Sequence, residues 1–141
     1  VKPRILYIEP DADYAYPIRH MLEEVGFEVF WIAHPGKLLD SNTPPDAELV
    51  IFGADADHVI IRKLLAWKQR WTRQLPLMVI SCYCFKYEAE SLLGHGVDFV
   101  FCKPFEIDVF ARFVRYWLIH PEGAETQAFL SMLEGRRART A

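Results

Sequence analysis

Four apolar runs in this chain each end on residues that can do chemistry. Ile5-Leu6-Tyr7-Ile8 runs into Glu9-Pro10-Asp11, and Leu49-Val50-Ile51-Phe52 runs into Gly53-Ala54-Asp55. Leu77-Met78-Val79-Ile80 ends in Ser81-Cys82, and Phe99-Val100-Phe101 in Cys102-Lys103-Pro104. If these runs are neighbouring parallel strands, Glu9, Asp11, Ser81 and Lys103 converge on one rim, because ligands of open parallel sheets sit at the carboxyl ends of the strands. Acids, a hydroxyl and a lysine gathered there form a polar site in which lysine balances negative charge. Cys82, Cys84 and Cys102 fall on the same rim. With His58 they suggest a zinc or redox site, although Cys82-Tyr83-Cys84 has the wrong spacing for a structural zinc knuckle. Buried cysteine also serves as a small apolar filler.

The elements that must position these residues alternate strictly between strand and helix. Arg4 to Ile8 is a first strand. Ile18, Met21, Leu22 and Val25 repeat at helical spacing, and Gly26 closes that helix. Pro17 must then sit in the first turn or distort the helix. Phe27 to Trp31 reads as a second strand, Lys37 to Asp40 as a short helix, and Glu48 to Gly53 as a third strand. Asp57 is a candidate N-cap for a helix with the stripe Ile60, Leu64, Trp67 and Trp71. Leu77 to Ser81 is a fourth strand, Tyr87 to Leu93 a short helix ending at Gly94 or Gly96, and Phe99 to Cys102 a fifth strand. Phe110, Phe113, Val114, Trp117 and Leu118 make a last helical stripe before Pro121. Strands apolar on both faces need helices on both sides, which predicts an α/β fold with a doubly wound parallel sheet.

Composition narrows the class. The 141 residues are 52% hydrophobic and 25% charged, with a net charge of −3, which fits one folded domain and not a disordered chain. That charge gives no basic footprint for nucleic acid. No apolar run is long enough to cross a bilayer, and the start lacks a secretory cleavage pattern, so no membrane contact is expected. Three cysteines, an odd count, read as free thiols in a reducing compartment, hence a cytoplasmic location. Neither Gly-x-x-x-x-Gly-Lys nor Gly-x-Ser-x-Gly is present, so nucleotide-loop and elbow-hydrolase chemistry lack support.

The chain resembles a receiver domain of two-component response regulators from about Arg4 to Leu118. The resemblance is carried by Ile5 to Asp11, Leu49 to Gly53, Val79 to Cys82, and Gly96-Val97-Asp98 leading to Lys103-Pro104-Phe105. It implies a flavodoxin-like five-stranded sheet of order 2-1-3-4-5. It also implies a site in which a histidine kinase passes a phosphoryl group to an aspartate ending the third strand. In that family, acids after the first strand help hold Mg²⁺, a hard cation that takes oxygen ligands, while a hydroxyl and a lysine contact the phosphoryl group.

The match at the site is partial. Glu9 falls on the first acid position, Pro10 on the second, with Asp11 next to it. Gly53 falls on the phosphoacceptor, Ser81 on the switch hydroxyl, Lys103 on the lysine, and Val100 where an aromatic residue is frequent. Glycine has no nucleophile and proline no side-chain oxygen. The resemblance therefore implies a degenerate receiver, a non-enzymatic module that acts by protein contact with a kinase or output protein and needs no cofactor. Lys103 would pair with Glu9 or Asp11 at the rim.

Two alternatives stand beside this reading. One is a receiver phosphorylated with Mg²⁺ at a displaced acid, Asp55 or Asp11, although Asp55 and Asp57 also read as a loop acid and an N-cap. The other is a thiol or metal sensor on the same fold. The resemblance further implies a homodimer face on the fourth helix, fifth strand and fifth helix, with Tyr116 and Val109 off the last helix's main stripe and exposed. Residues 1–120 read as the receiver-like domain and 121–141 as a C-terminal extension or linker. There Phe129, Met132 and Leu133 could line a short helix ahead of the basic Arg136, Arg137 and Arg139.

Overall fold

The computed structural model describes residues 2–53, 58–71, 74–81, 86–102 and 105–119. Among the described residues five strands and five helices alternate. They are β1 (Arg4–Ile8), α1 (Ala12–Glu24), β2 (Glu28–Ile32), α2 (Gly36–Leu39), β3 (Leu49–Gly53), α3 (His58–Lys68), β4 (Leu77–Ser81), α4 (Lys86–Gly94), β5 (Phe99–Cys102) and α5 (Ile107–Ile119). The strands form one parallel sheet in the order β2-β1-β3-β4-β5. The parallel sheet is the one expected from the alternation, and its flavodoxin-like order is the one the family resemblance implies.

Burial explains why the central strands are continuous apolar runs. Every residue of β3 and β4 is buried, as are the last four of β1, so both faces of the sheet are covered. On one face Leu6, Ile8, Val50, Phe52, Leu77 and Val79 pack with Ile61, Leu64, Leu65 and Trp67 of α3 and Leu92 of α4. Ile5, Tyr7, Ile51, Met78 and Ile80 alternate with them and lie outside that cluster. α1 buries Ala15, Ile18 and Leu22, a stripe at spacings of three and four.

Several local expectations shift. α1 starts at Ala12, capped by Asp11, whose carboxylate accepts from the Asp13 N–H. Pro17 consequently lies in the second turn and not the first, inside a helix that continues through it. Its ring nitrogen has no proton to donate to the Asp13 carbonyl. β2 runs one residue later than the apolar pattern suggests, because Glu28 is drawn in by its N–H bond to the Pro3 carbonyl. Trp71 lies beyond the end of α3 and packs edge-on to Trp67, with ring centroids 6.1 Å apart. Gly26 and Gly96 take positive φ where α1 and α4 stop, a backbone state open to glycine at little cost.

The described residues fall into two units, one ending at Phe105 and one starting at Glu106. α5 belongs to the second. Its Asp108 and Arg112 pair one turn apart at 2.9 Å, and that bond holds the Asp108 carboxyl below its ordinary range. Tyr116 is exposed as expected, but Val109 is buried with Phe110, Phe113 and Val114. The apolar stripe of α5 is one residue wider than the four-three pattern indicates. Among the described residues no helix is long and apolar enough to cross a membrane.

Candidate functional site at the carboxyl ends of the sheet

The site begins where β1 stops. Glu9 follows Ile8, and its backbone is gripped by the end of β2. Its N–H donates to the Ile32 carbonyl at 3.0 Å, and Trp31 Nε1 donates to its carbonyl at 2.9 Å. Trp31 is in turn braced edge-on by Tyr16 of α1 at 5.2 Å. The Glu9 side chain is only 2% exposed. Its Oε2 accepts from the Asp11 N–H at 3.3 Å, and its Oε1 accepts a long bond of 3.5 Å from the Tyr7 hydroxyl.

A carboxylate this deep needs donors, because burial strips its water shell. Tyr7 responds to it. Burial first, and then the Glu9 charge and hydrogen bond, hold the Tyr7 hydroxyl above its usual range, so it stays a donor.

Gly53 ends β3 beside Glu9. The register pairs Ile8 with Phe52, so the next step sets residue 9 against residue 53. A Cβ placed at Gly53 would lie 2.3 Å from Glu9 Oε1. Ser81 ends β4, is 4% exposed and is registered with Cys102 of β5. Among the described residues, Glu9 and Ser81 are the buried polar or charged side chains apart from Tyr7, and both belong to this rim.

The structure thus places Glu9, Gly53 and Ser81 at this one rim. Asp11 lies next to them but is exposed and spends Oδ1 on capping α1. Lys103, Asp55, Asp57, Cys82 and Cys84 lie outside the described residues, as does the 121–141 extension. His58 heads α3. The reading of free thiols needs correction at Cys102, which is disulfide-bonded. An odd cysteine count guarantees at least one unpaired thiol within the chain and says nothing about the other two.

The described residues do not fit a Mg²⁺ site. The ion takes oxygen ligands in octahedral geometry. Pro10 has no side-chain oxygen, Asp11 is exposed and gives Oδ1 to the helix cap, and Glu9 turns inward to Gly53. No group of three metal-ligating side chains occurs among the described residues.

No family model and no curated protein matches the chain. Solved structures do. A response regulator from Thermotoga maritima superposes with a TM-score of 0.73 at 16% identity, covering 84% of this chain and 98% of that one. The fold is that of receiver domains. A receiver protein from Burkholderia phymatum matches with a TM-score of 0.66 at 24% identity, over 83% of this chain and 95% of that one. An orphan response regulator of H. pylori matches with a TM-score of 0.68 at 18% identity, over 82% and 96% of the two chains. Identities this low establish shared receiver architecture, while what the rim does must come from its own residues.

Sequence reasoning placed Glu9 on the rim but missed its direction, and it missed Tyr7 and Trp31 as its partners. The available signal was register. Once β1 and β3 are neighbours, an acid one step past β1 faces the last residue of β3, and a glycine there has room for it.

Proposed function

We propose that the chain is a pseudo-receiver: a non-enzymatic signalling module of the two-component type that acts through protein contact without phosphorylation at position 53. Residues 1–120 form the receiver-like part, and the partner is a kinase or an output protein. The observation that carries this is Gly53 with Glu9 against it. The residue has no nucleophile, and its side-chain space holds a carboxylate. In-line phosphoryl transfer depends on placement at the ångström scale, so an acid elsewhere on the rim is not an equivalent acceptor. Incubated with Mg²⁺ and acetyl phosphate, the protein stays unlabelled. A stoichiometric, acid-stable and hydroxylamine-labile adduct would overturn this reading.

The disulfide at Cys102 favours a second reading, a thiol sensor on the same fold. Cys102 is registered with Ser81 and precedes Lys103, so reduction would act at the rim. Disulfides in a cytoplasmic protein are usually transient or redox-sensing, which reconciles the bond with a cytoplasmic location. A dithiol reductant supplies two electrons and two protons, converting one disulfide to two thiols. Thiol titration and melting before and after such treatment decide it. An unchanged melting temperature with two new thiols removes the sensor.

A further inference from the structure

The glycine at 53 is there for room and not for backbone freedom. Positive φ occurs at Gly26 and Gly96. At Gly26, Gly36 and Gly94 an added Cβ would meet nothing within 4 Å. At Gly53 it would meet three atoms of one group, Glu9 Oε1 at 2.3 Å, Cδ at 2.7 Å and Oε2 at 3.0 Å. Non-bonded atoms settle at roughly 3.5 Å or more, so even alanine at 53 requires the Glu9 carboxylate to shift.

Glu9 is not placed to shift easily. It is held from β2 through Trp31 and Ile32, from within β1 through Tyr7, and from the head of α1 through the Asp11 N–H. Swinging the carboxylate aside strips it from the Tyr7 hydroxyl and the Asp11 N–H while its backbone stays clamped. The side chain is too deep for water to replace both bonds where it now stands.

We propose that Glu9 is the resident ligand of this site: a tethered carboxylate seated where a side chain at 53 would stand, so that residues 9 and 53 act as one exchanged pair. The site is thereby shut from within. Restoring an acid at 53 does not open it, because the space belongs to Glu9. This rests on the pseudo-receiver reading for its meaning in signalling, though the pairing itself is geometric.

The test is a thermal-unfolding cycle on the full chain with Gly53→Ala, Glu9→Ala and the double variant. In the native background Gly53→Ala lowers the melting temperature by about 5 °C or more. In the Glu9→Ala background the same change costs nothing or raises it, since alanine in ordinary backbone narrows the unfolded ensemble. Equal shifts in both backgrounds, or an unshifted Gly53→Ala, would overturn the pair. If Glu9→Ala does not fold, Glu9→Asp, one methylene shorter, serves in its place with the same expected reversal of sign. A further arm reads closure: Gly53→Asp alone remains unlabelled by acetyl phosphate with Mg²⁺, and labelling of that single variant overturns it. The two readings fail separately. Labelling of the unmodified protein removes the pseudo-receiver and leaves the cycle standing, whereas an additive cycle removes the exchanged pair and leaves the pseudo-receiver.

Discussion

The two ends of β1 carry opposite solutions to the same problem, a charged side chain at the edge of an apolar sheet. At the amino end Arg4 is partly exposed and joined to several acids. Its Nε lies 3.2 Å from Glu28, and its guanidinium also pairs with Asp46. At the carboxyl end Glu9 is buried, with a tyrosine hydroxyl and a backbone N–H as described donors and a gap in the neighbouring strand to sit in. Exposed pairs share their charge with water and salt and hold little free energy, usually below about 1 kcal/mol. A buried carboxylate has no such reserve, so each contact around it matters. The comparison teaches that the number of ion pairs at a strand end is no guide to how closely its charge is held.

The contrast can be broken by substitution. The largest effect is expected for Gly53→Ala, which evicts Glu9 from its donors and should cost about 2–3 kcal/mol in urea unfolding. A cost no greater than that of changing Arg4 would reverse the ranking. Next comes Glu9→Gln, which keeps the shape and loses the charge. It should cost about 1–2 kcal/mol, because hydrogen bonds to a charged acceptor exceed neutral ones.

Tyr7→Phe follows, at about 1 kcal/mol near neutral pH, and it carries a pH signature. The folded chain holds the Tyr7 proton beyond the usual phenol range, while the unfolded chain releases it near pH ~10. Above that pH the unfolded state binds fewer protons than the folded one, so stability falls as pH rises. The Phe variant should show a shallower alkaline decline than the native chain; identical slopes would show that Tyr7 does not titrate on unfolding. The smallest effect is expected for Arg4→Ala, below about 1 kcal/mol and shrinking further in high salt. A salt-independent loss would mean that the amino end is not the solvent-screened region described.

The sheet was legible because its central strands are unbroken apolar runs bounded by turn residues. β1, β4 and β5 fall where the pattern puts them. Edges were read less well. β2 has one buried residue in five, so its register is set by pairing with β1 and not by its own hydrophobicity. Pro17 falls past the first turn because a helix cap at Asp11 adds a turn that apolar spacing does not reveal. At the site, residue types and rim location were readable for Glu9, Gly53 and Ser81. The inward turn of Glu9 was not, since a side chain's direction depends on what its neighbours leave open.

Sequence alone determined the alternation of strand and helix, the parallel sheet, and a residue without any side-chain nucleophile, glycine, at position 53. These follow from periodicity and from the chemistry of single residues, which are local properties. Only the tertiary structure decided that the empty position is filled. Glu9 and Gly53 are 44 residues apart in the chain and meet solely through the register of β1 on β3. Whether a missing side chain leaves a hole or makes room for another is a matter of packing, and packing is a property of neighbours in space.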